Sequence, residues 1–160
     1  MTLTIESQSA GISIVGSDGD RIRISCTLES PERAKDVHIR FVRPGNSGEL
    51  KVSGGLTNNT QIRIEVPWQT SFRLSMPAGE VRVTHVSGNK DIALRAGQVV
   101  ISGVNDSEYR TIDAGVDVGD VRAAHFGVDK GGFFRSYRRN SADGTYGLRV
   151  RLLAGQIELK

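Results

Sequence analysis

Apolar and polar residues alternate with a period of two along almost the whole chain, the spacing of strands that bury one face and wet the other. Ile22, Ile24, Cys26 and Leu28 fall on one side of such a segment, and Arg23, Ser25 and Thr27 on the other. Val37, Ile39 and Phe41 open a second strand with His38 and Arg40 on its polar face. Ile62, Ile64 and Val66 mark a third, ended at Pro67-Trp68 because proline has no N–H to give to a ladder. Phe72, Leu74 and Met76 mark a fourth, closed by Pro77. The run Ile12 to Val15 and the strand after Asp18-Gly19 read as a hairpin over residues 11–28 with its loop at 16–20. Leu50 to Val52 pair back on the 37–41 strand across the loop at 43–48. Helix-start chemistry occurs once, at Ser30-Pro31-Glu32, with room for one or two turns.

Past Pro77 the strands shorten, the glycines become denser and a phrase repeats. Ala78-Gly79-Glu80-Val81-Arg82-Val83 is followed by Ala96-Gly97-Gln98-Val99-Val100-Ile101, and Ala-Gly returns at 114–115 and 154–155. The first three copies stand 18 residues apart. Val81 and Val83, Ile92 and Leu94, Val99 and Ile101, Val116 and Val118, and Val121 and Ala123 are then strands of three to five residues. Such strands, bounded by Gly, Asn or Asp, suit a stack in which each coil buries its inward residues on its neighbours. The last strand, Tyr146 to Leu152, is longer and suits a cap on that stack. The expected fold is all-β: N-terminal antiparallel strands run into a β-solenoid or β-helix-like repeat region. The expectation is a single domain over 1–160 with an internal shift near residue 77.

An 18-residue period equals three hexapeptides, which brings in the left-handed helix of hexapeptide acyltransferases. Six-residue steps from Ala78 pass through Thr84, Lys90, Ser102, Glu108 and Asp120, where an aliphatic residue must recur, so that frame fails.

Composition narrows the function classes. Twenty-one Lys and Arg against eighteen Asp and Glu give a net charge of +3, small beside the field of a dedicated nucleic-acid binder. The single cysteine excludes an internal disulfide and reads as a core thiol in a reducing compartment. No basic and apolar leader opens the sequence and no apolar run approaches the ~18 residues of a membrane span, so the sequence given reads as cytoplasmic.

The Gly-x-Ile-x-Val-like opening with Asp18 and Asp20, the strand closing on Val66-Pro67 and the Ala-Gly-x-Val-x-Val repeats resemble the bacterial putative-adhesin family of unknown function, over about residues 11–160. That resemblance implies β-solenoid repeats, an association with the cell envelope and no defined catalytic residues.

Candidate chemistry is sparse. His38, His85 and His125 are scattered without ligand spacing, His85 and His125 sharing core-side parity with the neighbouring valines, so neither metal nor cofactor is expected. Asp18 and Asp20 lack the glutamate that closes a twelve-residue calcium loop. Nothing resembles a nucleophile elbow or a phosphate loop, which leaves a hydrolase or a nucleotide enzyme without support. The stretch that stands out runs from Gly131 to Asn140. There Arg135, Arg138 and Arg139 lie among Phe133, Phe134 and Tyr137, cations and rings of the kind that grip an anionic polymer, either single-stranded nucleic acid or an acidic glycan. The plain alternative is that the rings pack and the arginines are solvated. The first expectation is therefore a non-enzymatic structural or interaction module of a bacterial protein, adhesin-like, with a protein partner or a second copy of itself. The second is an anion-binding module using the Phe133–Arg139 stretch.

Overall fold

The computed structural model describes residues 1–8, 10–28, 30–54, 59–105 and 107–160, with the side chains of Pro31 and Arg33 left aside. Among these residues eleven strands form one mixed sheet: β1 (Thr2–Ser7), β2 (Ala10–Ser17), β3 (Arg23–Thr27), β4 (His38–Val42), β5 (Ser47–Ser53), β6 (Gln61–Pro67), β7 (Ser71–Thr84), β8 (Lys90–Ser102), β9 (Tyr109–Ala123), β10 (Val128–Asn140) and β11 (Tyr146–Leu159). The two helical pieces, Pro31–Asp36 and Ala124–Phe126, are short 3₁₀ turns. The first matches the Ser30-Pro31 signal, although the Ser30 side chain makes no capping hydrogen bond.

Strand β7 does not stop at Pro77 but runs on to Thr84, 14 residues, and β8, β9 and β11 are of similar length at 13, 15 and 14. A straight strand of this length would span about 45 Å. Yet β8 lies parallel to β7 and in register with it from Phe72↔Lys90 to Thr84↔Ser102. The short link from Thr84 to Lys90 reaches at most about 20 Å, so each long strand must double back. The fold falls at the Ala-Gly phrase, and inward parity changes across it: Phe72, Leu74 and Met76 are buried before the bend, Val81 and Val83 after it. Pairs of short strands were expected, and they prove to be the two arms of one bent rung, except that Val118, expected inward beside Val116, sits at the bend and is exposed.

Glycine is required at that bend. Gly79, Gly97, Gly155 and Gly119 stand in register on neighbouring rungs, all with φ between 137° and 143°. A Cβ on Gly97 would fall 1.8 Å from the Gly79 carbonyl oxygen, and one on Gly119 1.8 Å from that of Gly155. Each rung therefore rests on the carbonyl of the next at a distance only a residue without a side chain allows.

Rung order departs from chain order. Strand β11 lies between β8 and β9, parallel to both, so it does not cap the stack. As a result the phrase paired with Ala154-Gly155 is Val118-Gly119, whereas Ala114-Gly115 lies in the first arm opposite Val150 and Arg151. Strands β1 and β2 form the two arms of one rung against β7, and β5 and β6 those of the next. These N-terminal pairings are parallel, against the antiparallel expectation. Among the described residues there, only β3 on β6 and β4 on β5 run antiparallel. The expected 11–28 hairpin does not form, because β6 pairs with both β2 and β3 and separates them. The β4–β5 pairing is as the alternation predicts, with Ile39 opposite Val52 and Phe41 opposite Leu50.

Inward side chains stack in columns through a shared core, such as Leu50, Ile5, Leu74, Ile92, Val150 and Ala114 in the first arm, and Ile64, Ile14, Val83, Ile101, Leu159 and Ala123 in the second. At about 25 cal/mol per Å² of apolar area removed from water, these columns are the main stabilising term.

Candidate functional site

Strand β10 carries every residue singled out at 133–139 and, among the described residues, pairs antiparallel with β9 alone. The structure splits that set three ways. Arg135, Tyr137 and Arg139 stand opposite the buried Val116, Ala114 and Ile112, so they occupy the positions where core columns would continue. The Tyr137 ring packs on Phe126 at 5.2 Å between centroids, and the Arg139 guanidinium lies 5.0 Å from the Phe126 ring. Long amphipathic side chains here cover apolar surface with their stems and turn polar tips to water. Arg138 points to the opposite face, where its Nε donates to Asp113 at 3.2 Å. Phe133 and Phe134 project into solvent, 70% and 82% exposed. Phe134 sits at φ +51°, a conformation that is uncommon for a non-glycine residue. Phe133 stands opposite Val118, and Ala154, Ala96 and Ala78 follow in register, so an apolar ridge runs along the outside of the bends.

The histidines are not where parity places them. His85 turns outward at φ +52° where the β7–β8 link begins, His125 lies in the second 3₁₀ turn, and both are exposed. Cys26 packs half-buried against the core, and burial pushes its thiol pKa up.

The outward face of the first arm holds a feature the alternation pattern did not reveal. One register row runs Thr4, Arg73, Asp91, Arg149, Asp113, Arg138 across six strands, alternating in charge after the threonine. The next row toward the strand starts is uncharged: Thr2 and Ser71 at one side, then Gly147, Thr111 and Asn140, with Asn89 bridging through its Oδ1 to the Gly147 N–H at 2.7 Å. Between the rows lies an open groove of about 740 Å³. Arg73 donates to Asp91 at 3.3 Å. Asp113 accepts from both Arg151 amino groups, at 3.0 and 2.6 Å, as well as from Arg138. The Arg151 hydrogen bonds, helped by both positive charges, hold the Asp113 carboxyl below its ordinary pKa against the opposing effect of burial. Gly115 leaves the space that the Arg151 guanidinium enters, since a Cβ there would meet Nη1 at 2.8 Å.

Beneath the groove lies a buried lysine. Lys90 occupies a core column between Phe72 and Leu148, 2% exposed. Its ammonium donates to the Gly88 carbonyl at 3.3 Å and to the Tyr109 hydroxyl, and lies 4.8 Å from the Tyr109 ring centroid. Burial lowers its pKa to about 8, with the Glu108 carboxylate pulling the other way. Glu108 itself accepts from the Ser87 hydroxyl at 2.8 Å. Burial also drives the Tyr109 hydroxyl well above its ordinary pKa.

No protein-family model matches the chain, and no curated protein matches it by sequence. Among solved structures it is similar to a putative cell adhesion protein from Clostridium sporogenes, with 15% identity and a TM-score of 0.62 over 99% of this chain and 92% of that one. The likeness is one of fold. It extends over the bent rungs and both ends of the stack, so the architecture is not peculiar to this sequence.

Proposed function

We propose that the chain is a non-enzymatic interaction module of adhesin type, built as a short solenoid of bent rungs and presenting its outward rows to a partner. The observation that carries the reading is the whole-length fold likeness to a protein named for cell adhesion. The register adds to it, because in-register rungs repeat side chains about every 4.8 Å across a face that a scaffold can present. Beads coated with the chain should be retained under flow on bacterial cells or glycan-coated slides more than beads carrying an unrelated β protein. Equal retention on every surface would overturn the adhesive reading.

The solenoid reading has its own test. Deleting Glu80–Gly97 removes one 18-residue period and fuses the first arm of β7 to the second arm of β8. In a repeat scaffold, stability is roughly a sum over rungs and their interfaces. The shortened chain should still unfold cooperatively with a strand-type circular dichroism spectrum, at a lower midpoint. A chain without structure would count against interchangeable rungs.

The module also fits a second copy of itself at the β4 end. Ile39 and Phe41, 44% and 39% exposed, lie on an edge strand that, among the described residues, pairs with β5 alone. Two β4 edges meeting about a two-fold axis would extend the sheet and cover these side chains.

A further inference from the structure

We infer that the groove between the charged and uncharged rows of the first arm binds a sugar acid, a pyranose carrying one carboxylate, with Arg149 as the group that holds the carboxylate. The assignment supplies ligand chemistry for the proposed interaction module and rests on that reading.

Arg149 lies between Asp91 and Asp113 in register, yet both acids are engaged elsewhere, Asp91 by Arg73 and Asp113 by Arg151 and Arg138. Among the described residues it is the cation of this row without an ion pair, and it is exposed on the groove. A guanidinium presents a planar fork of donors that matches a carboxylate in bidentate fashion. Three arginines and two aspartates line the groove at its surface, one excess positive charge there, while the Lys90 ammonium is buried at its floor and turned to the Gly88 carbonyl and the Tyr109 hydroxyl. That balance suits a monoanion better than a phosphate dianion or a polyphosphate, which the two aspartates would repel.

The uncharged row argues for hydroxyls beside the carboxylate. Thr2, Thr111, Asn89 and Asn140 each both donate and accept, as sugar hydroxyls do. Same-face rows lie two residues, about 7 Å, apart along the strands, so a hexose with its hydroxyls, anchored at Arg149, reaches the amides and hydroxyls of the uncharged row. Gly147, directly before Leu148 on the same strand as Arg149, has no side chain to obstruct that approach. The lining phenylalanine, Phe72, is buried in the core, so among the described residues the groove offers no exposed ring face on which a nucleobase would stack. The volume lies within the ~300–1,000 Å³ range of small-molecule sites.

The test is a heteronuclear NMR titration of the full chain with methyl glucuronoside and with N-acetylneuraminic acid, set against methyl glucoside and acetate. At least one sugar acid should shift the amides of Asn89, Thr111 and Gly147 saturably, and whichever does so identifies the class as uronic or sialic. The neutral glucoside and acetate should bind at least about tenfold more weakly, since each lacks one half of the recognition. Arg149→Ala should weaken binding about tenfold or more with an unchanged unfolding midpoint, because among the described residues the side chain supports no other group. Arg149→Lys should recover part of the loss, a point charge replacing a fork. If neither sugar acid moves these amides at tens of millimolar, if acetate binds as well as the sugars, or if Arg149→Ala binds like the parent, the assignment is overturned. Binding in solution by a chain whose coated beads do not adhere would retain the site and remove the adhesive role. Adhesion that survives Arg149→Ala would do the reverse.

Discussion

The two ends of the stack solve the same problem differently. A rung inside the stack buries its inward side chains on two neighbours, whereas an end rung has one. At the β10 end the core columns run into Arg135, Tyr137 and Arg139, with Phe126 folded over them, so the last apolar layer is covered by side chains whose tips are polar. At the β3 and β4 end the columns run into Ile24, Cys26, Ile39 and Phe41, which are apolar and only partly covered. A terminal repeat with a polar outer side keeps a stack soluble. One end of this molecule is sealed in that way, and the other retains a surface like the interior.

The contrast between interior and end is sharpest at the glycine column. Gly97→Val in the middle places side-chain atoms on the Gly79 carbonyl at a φ that disfavours any side chain, and should cost more than about 4 kcal/mol. Gly132→Ala, on the end strand opposite Gly119, meets only the flexible Arg135 guanidinium at 3.3 Å and should cost about 1–2 kcal/mol from backbone strain. Thermal unfolding followed by circular dichroism distinguishes them. Similar losses at both positions would mean that the bend tolerates a side chain wherever it falls.

A second contrast lies between Lys90 and the apolar residues stacked above and below it, Phe72 and Leu148. In the unfolded chain a lysine releases its proton near pH 10.4. In the folded chain the pKa is lowered to about 8. Between those values the unfolded state holds more protons, so stability rises with pH, by at most about 3 kcal/mol over the window. Above pH 10 the effect reverses, because Tyr109 ionises more readily when unfolded than in its buried site. Urea unfolding at a series of pH values should therefore show a maximum near pH 10, and Lys90→Met should flatten the rise between pH 8 and 10. A parent protein that loses stability steadily from pH 8 upward would show that the ammonium is not held in an apolar layer.

Much of this was legible in the residues. Period-two alternation locates nearly every arm, because burial on one face imposes it at once on each strand. The Ala-Gly phrases at 78–79, 96–97 and 154–155 mark real bends. The fourth bend, Val118-Gly119, was hidden by Ala114-Gly115, whose glycine serves a different need, space for Arg151. Rung order was illegible, since β11 and the β1–β2 pair insert between rungs by long-range pairing that leaves no local trace. The groove stayed hidden for the same reason. Arg73 and Asp91 are 18 residues apart and could have been matched by the period, whereas Arg149 and Asp113 join their row only through the insertion of β11. The aromatic and basic stretch was visible, but alternation alone could not tell that Tyr137 and Arg139 close the core while Arg138 faces the groove.

The smallest effect on the fold, and the most direct probe of the unequal ends, comes from Phe41→Arg. Phe41 lies on a five-residue edge strand and is already partly solvated, so the substitution should change stability by less than about 1 kcal/mol. Its effect on association should be far larger, because two copies meeting at β4 would bring two like charges into an interface that otherwise buries apolar surface. Sedimentation equilibrium should show the parent shifting toward dimer as concentration rises and the Phe41→Arg chain remaining monomeric. Arg135→Ala at the sealed end should leave the parent's behaviour unchanged. A parent that stays monomeric at high concentration, or an association abolished by the Arg135 change and not the Phe41 change, would show that the apolar end is not where copies of this chain meet.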